Sequence, residues 1–294
     1  MNKPILLQKR DLIKPINQAI ERLEEIRQRK MNNEDNIILE GLFVLAVSSF
    51  ENSINDTIRV LLRNIPEKLD IKTESISKEQ LINGNPLEQA IENKVNTISY
   101  KNVKEIIKYF TSITGIDNDM SNDEYNSLIE IKATRNLLIH NNLNINDIYR
   151  ETAGTNGREA TRPGNRLIID QDYLFRSLII LISILTKFES KLQEKFSSYT
   201  KVSAIKKLFN YIFQTPVMKF EDEFEVDSTR DVISNLKPNS TRKNSLSSSE
   251  RFYYDIWVAH SHGKEFQFDA SQFFLLSNKE KFGYFIKNID LLKS

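Results

Sequence analysis

Apolar residues recur at helical spacing through most of the first 215 positions. Ile13, Ile16, Ile20, Leu23 and Ile26 line one side of a charged segment. That predicts an amphipathic helix over about 14–30, with Pro15 tolerated in its first turn. A second helix is expected from about Glu34 to Arg63, with Asn33 as its cap and Pro66 beyond its end. Shorter helices are expected over Pro86–Ser99 and Lys101–Ile113. Another is expected over Ser121–His140, where Ser121 followed by Glu124 makes a capping box. Periodicity is lost over Asn141–Arg166, which holds Gly154, Gly157, Pro163 and Gly164 and reads as a long loop. A short strand at Leu167–Ile169 and a strong helix over Gln171–Phe196 follow, and Val202–Phe213 continues as helix.

The pattern changes after Pro216. Lys219–Val226 is extended and acidic, and Asn235–Arg251 is a linker rich in Ser, Asn, Lys and Arg. Phe252–Ala259 alternates like a strand, with Lys264–Phe268 as its partner across a turn at Ser261–Gly263. Phe282–Leu292 reads as a final helix, and no internal repeat is visible. The expected fold is mostly α: a helical bundle over residues 1–200, then a helical connector and a small C-terminal α+β module over 201–294.

Composition narrows the chemistry. The 294 residues suffice to bury a core. Lys and Arg number 41 against 40 Asp and Glu, so a nucleic-acid grip would be a local patch and not a broad basic surface. The absence of cysteine removes disulfides, thiolate metal sites and cysteine nucleophiles. Only three histidines are present, His140, His260 and His262, and eight glycines supply no phosphate-cradling loop motif. The first residues lack a signal-peptide pattern, and the apolar stretches Ile37–Phe50 and Leu178–Leu185 are short or broken by Glu40. A cytoplasmic protein without membrane contact is the expectation.

The segment Ile129–Asn142, IEIKATRNLLIHNN, carries the most chemistry. At about 100° per residue, Arg135 falls on a face with Leu128, Ile131, Leu138 and Ile139. Asn136 and His140 share the adjoining face with Ile129 and Ala133, and lie one turn apart. Polar groups on apolar surfaces persist when they line a cleft, meet a partner subunit or have a carboxylate nearby. In the second helix, Glu51 falls between Val44, Val47, Ile58 and Leu62 on the wheel. Either it pairs with Arg135, or it sits in solvent at the stripe's edge.

The run RNLLIH, an Arg-Asn followed by three apolar residues and His, resembles the R-x4-6-H motif of the HEPN superfamily (higher eukaryotes and prokaryotes nucleotide-binding). The surroundings resemble it too: a long helix with an acidic residue midway, a motif helix ending in His-Asn-Asn, a loop, then a short R-L-I-I-D strand at Arg166–Asp170 and a long apolar helix. The resemblance covers about residues 9–198. It implies a homodimeric, metal-independent endoribonuclease with no cofactor, whose two motif helices form one composite cleft. Arg135 and His140 are about 140° apart on an ideal helix, so one helix alone does not aim both at one phosphate. In the implied chemistry the RNA 2′-OH attacks the adjacent phosphate. His140 is the general base or acid, Arg135 stabilises phosphate charge, and Asn136 orients His140 or the phosphate. The resemblance further suggests a regulated bacterial toxin or anti-phage abortive-infection effector. An antitoxin, activator or defence-system partner would then be met through the C-terminal module. The alternatives are a non-catalytic dimerisation or nucleotide- or RNA-binding scaffold, and an immunity partner of a toxin.

The expected loop carries Arg150, Arg158, Arg162 and Arg166, which either hold RNA backbone near the cleft or are solvated. His260, His262 and Glu265 fit no strong metal motif. The C-terminal aromatics around Trp257 read as the core of a small domain more readily than as a base-stacking surface.

Overall fold

The computed structural model describes residues 7–29, 36–70, 86–158 and 165–199, with the backbone of Lys237–Pro238 and Gln267–Phe268. The chain divides into two compact units, Lys9–Ser197 and a second that joins Met1–Gln8 to Ser198–Ser294. Among the described residues the first is a bundle of seven α-helices: α1 (Lys9–Arg27), α2 (Asn36–Asn64), α3 (Pro86–Ser99), α4 (Val103–Thr114), α5 (Asn122–Asn141), α6 (Asp147–Ala153) and α7 (Gln171–Lys195).

Helix α2 is the axis of the bundle, and α1, α3, α4, α5 and α7 all pack against it. Its 29 residues span about 44 Å. Leu39, Phe43, Ala46, Val47, Phe50, Ile54, Ile58, Leu61 and Leu62 are buried along it. The Ser53 and Thr57 hydroxyls donate back to Phe50 O and Ser53 O, each at 2.8 Å, which lets two polar side chains lie in the core. By length and composition α2 is also apolar enough to cross a membrane, a test that the core helix of a bundle passes equally.

Helix α1 begins five residues earlier than its pattern predicts, which puts Pro15 inside it. Leu12 and Ile13 explain the extension. Both are buried, and that packing outweighs the one backbone hydrogen bond a proline removes. On the other side of α2, Arg59 clasps Glu92 of α3 through two bonds of 2.8 and 2.9 Å. Arg63 pairs with Glu88 one turn away on each helix. Helix α4 is capped by Asn102 and ends at Gly115 in the left-handed region (φ 72°), where a side chain would be strained. Phe110 of α4 meets Phe188 of α7 at 5.0 Å between ring centroids in the core.

The capping box at the start of α5 is present, and Glu124 does more than cap. Its carboxylate also receives Lys187 at 2.7 Å and Ser183 at 3.2 Å, tying the first turn of α5 to the middle of α7. At its other end α5 stops at Asn142 (φ 48°), and Leu143 (φ 62°) also takes the left-handed conformation while fully buried. Asparagine tolerates that region; leucine adopts it only where packing pays the strain.

The long loop expected over Asn141–Arg166 is not structureless. It contains α6, capped by Asn146, and a 3-10 turn at Gly154–Asn156. Its ends are pinned by Ile145 N–H to Asn165 O and Leu167 N–H to Leu143 O, both 2.9 Å. These make one antiparallel bridge, Asn144 to Arg166, in place of the strand expected at Leu167–Ile169.

In the second unit, Lys237–Pro238 pairs in parallel with Gln267–Phe268. The first of these falls in the segment read as a linker. The helices expected at Val202–Phe213 and Phe282–Leu292, the hairpin strand Phe252–Ala259, and His260, His262 and Glu265 lie outside the described residues.

Candidate functional site

Glu51 stands midway along α2, facing α5, and of the two placements open to it the paired one is found. Its Oε2 lies 3.3 Å from an Arg135 terminal nitrogen, and its Oε1 lies 2.9 Å from Lys132 Nζ. Lys132 and Arg135 are three residues apart on α5, so one helical face presents both cations to one carboxylate. All three side chains are about a fifth exposed, enough for screening but too little for full hydration.

Arg135 makes one more bond. Its NH1 donates to Asn136 Oδ1 at 2.9 Å, while its Nε is buried with no hydrogen-bond partner. Asn136 therefore braces the guanidinium and does not hydrogen-bond the imidazole of His140, although the two are i,i+4 neighbours. His140 lies in the last turn of α5 and is exposed. Its ring makes no hydrogen bond or ion pair among the described residues. The site thus has a held arginine and, just over one turn on, an imidazole open to solvent.

The four loop arginines separate in the structure. Arg150 is exposed, with Asp147 at 3.7 Å. Arg166 is about half exposed and links α2 to the end of α5, reaching Glu40 at 3.0 Å and Asn142 O at 3.3 Å. Arg162 lies outside the described residues. Arg158, expected at the RNA backbone or in solvent, is instead turned inward: its Nε donates to Glu130 at 3.2 Å and its NH1 to Ile168 O at 2.7 Å. Its guanidinium lies 3.5 Å from the centre of the Tyr173 ring. A buried carboxylate demands such a partner, and that demand overrides the polar look of the segment.

The sequence reading missed Glu130 itself. This carboxylate is buried in α5 and accepts from Thr134 (2.6 Å), Tyr149 (3.0 Å) and Arg158 on one oxygen, and from Tyr173 (2.8 Å) on the other. Three segments, α5, α6 with its following turn, and α7, converge on it. Burial, reinforced by the Glu130 charge, pushes the Tyr149 hydroxyl above its ordinary range and the Tyr173 hydroxyl well above it. The available signal was Thr134 at i+4 from Glu130, on the side of the helix that also carries Leu137. Lys132 was missed as well, and its i,i+3 spacing to Arg135 was the clue. A shallow hollow of about 390 Å³ at Gln171, Asp172, Phe175 and Arg176 shares none of these residues.

Among the described residues, no three His, Asp or Glu side chains cluster as a metal site would need. Comparison with protein-family models, with curated proteins and with solved structures finds no match to this chain.

Proposed function

We propose that the protein is a HEPN-type, metal-independent endoribonuclease that works as a homodimer. Arg135 and His140 carry the chemistry, Asn136 braces Arg135, and Glu51 holds it. The observation that carries this reading is the state of Arg135 beside that of His140. The guanidinium is fixed by Glu51 and Asn136 with its fork half-buried, and the imidazole just over one turn on is exposed and has no partner among the described residues. A positioned arginine can stabilise charge on a phosphate without reorganising, and an accessible imidazole can serve as general acid or base. The RNA 2′-OH attacks the adjacent phosphorus, its proton passing to a base and the 5′-oxygen leaving with a proton from an acid. The products carry a 2′,3′-cyclic phosphate and a 5′-OH. DNA, lacking the nucleophile, is not cut.

Arg150 and Arg166 lie on exposed ground beyond the end of α5 and suit RNA backbone contacts. The biological setting that fits is a restrained bacterial toxin or anti-phage effector, with the C-terminal unit as the place for an activator or antitoxin to act. A second reading, a non-catalytic scaffold, is favoured by one observation: Arg135 already has a counter-ion in Glu51.

Cleavage of total cellular RNA in EDTA separates the two. Wild type should cut and leave cyclic-phosphate ends, while Arg135→Ala and His140→Ala should each lose at least about a hundredfold in rate. Equal cutting by all three would overturn the reading. No cutting by any, with or without a cell extract to supply an activator, would favour the scaffold.

A further inference from the structure

Two cations share one carboxylate at the α2–α5 contact. Lys132 and Arg135 bring two positive charges, Glu51 supplies one negative charge, and these three side chains make no other ion pair among the described residues. The next group on Arg135 is the neutral Asn136 side chain, and the Arg135 Nε–H is buried with no acceptor. Glu130, two residues before Lys132, is engaged with Arg158, and Asp56, five residues after Glu51, with Arg59 on the α3 side of α2. A half-buried pair of cations with half the counter-charge it needs is a standing demand for an anion.

The geometry points to Lys132 and Arg135 together as an anion subsite for an RNA phosphate, with Glu51 as the resident carboxylate that this phosphate displaces from Lys132. Lys132 is thereby assigned as a substrate-binding residue. The assignment rests on the nuclease reading for its choice of RNA, but not for the existence of the site. Lys132 Nζ is a compact charge with three donors, suited to a phosphate oxygen in any orientation. Arg135 offers the planar fork. The i,i+3 spacing sets them side by side on one face, so one phosphodiester or two successive ones can meet both. Glu51 then has two roles. It keeps the cations together without ligand, and it sets a threshold that a weak monoanion does not cross.

The test is binding of a short mixed-sequence single-stranded RNA across a range of salt, with every variant made in the full chain carrying His140→Ala so that nothing is cut. Lys132→Met should weaken binding about fivefold or more, for all sequences alike, and lower the slope of log affinity against log salt by about 0.7, the share of one phosphate. Lys132→Arg should restore both. The control is Lys94→Met, because Lys94 is equally shielded and is paired with Asp70 at 2.7 Å on α3. It should change neither quantity. Circular dichroism checks folding. If Lys132→Met fails to fold, Glu51→Gln decides: it should tighten RNA binding more than Glu92→Gln, which removes the same charge from the Arg59 pair.

Unchanged affinity and slope in a folded Lys132→Met protein would overturn the assignment. So would a Glu51→Gln protein that binds no tighter than Glu92→Gln. Displacement of RNA by inorganic phosphate, at matched ionic strength, as readily as by unlabelled RNA would make this a free-phosphate site and overturn the assignment to RNA. The two readings fail separately. Cleavage with an indifferent Lys132 sinks only the subsite, and Lys132-dependent RNA binding without cleavage sinks only the nuclease.

Discussion

Glu130 and Glu51 sit on two of the helices that meet in this bundle, and their surroundings give them opposite consequences. Glu130 is buried, and four donors satisfy both its oxygens. Removing it takes the acceptor from two buried tyrosine hydroxyls and the counter-ion from the largely shielded Arg158 guanidinium. Glu130→Ala should therefore cost about 3–5 kcal/mol, the range for breaking a buried ion pair from one side. Urea unfolding monitored by circular dichroism measures this, and a loss below about 1 kcal/mol would show that Arg158 finds water instead. Glu51 is partly hydrated, so its loss should be felt in the placement of Arg135 and Lys132 more than in stability. The same types of residue, carboxylate and guanidinium, serve as a structural clamp at one pair and as a candidate site at the other. Solvent access makes the difference.

At the scale of elements, the start of α5 shows how one residue sets a helix in place. Burial alone would raise the Glu124 carboxyl. The hydrogen bonds from Lys187 and Ser121 outweigh it and hold the group below its ordinary value of 4.5. A folded-state value below the unfolded one means that its stabilisation is complete above pH 4.5 and is lost as the pH falls through the lower folded value. Glu124→Gln should make the fall of unfolding free energy below about pH 5 shallower than in wild type. An unchanged slope would show that Lys187 does not hold this group in solution. Glu88 has the same sign, held down first by its hydrogen bond from Arg63, and adds to the wild-type slope in both proteins. The capping box and α3 were legible because they depend on local chemistry, a Ser–Glu pair and a proline at the first position. The early start of α1 and the helix α6 inside an apparent loop were not. They depend on what Leu12, Tyr149 and Arg158 meet in the folded bundle.

At the scale of the whole molecule, the proposed nuclease calls for a second copy of the chain. Arg135 and His140 leave α5 about 140° apart, so a single helix does not bring both to one phosphate. Two copies related by a twofold axis would, because the arginine of one can serve with the histidine of its partner. Arg135→Ala and His140→Ala proteins, each inactive alone, should regain part of the RNA-cutting activity when unfolded together and refolded as a mixture. Sedimentation would show the dimer. Mixtures that stay as inactive as their components would mean that the site is complete within one chain or is not a nuclease site.

Periodicity and end signals along the chain determined the helical class and the order of the main helices, because these follow from local geometry and from each residue's own preferences; they also marked Ile129–Asn142 as the candidate segment. The wheel placed Glu51 and Arg135 on surfaces that could meet, but not at one contact. Only the packing of α2 on α5 decided that, and it added Lys132, which no motif singles out. Tertiary structure alone also decided the fates of the loop arginines. Arg158 is claimed by a carboxylate 28 residues away, while Arg150 remains in solvent. The reason is physical: a charge on a polar segment costs little wherever it points, so local sequence does not distinguish a solvated arginine from one that a buried carboxylate has drawn inside.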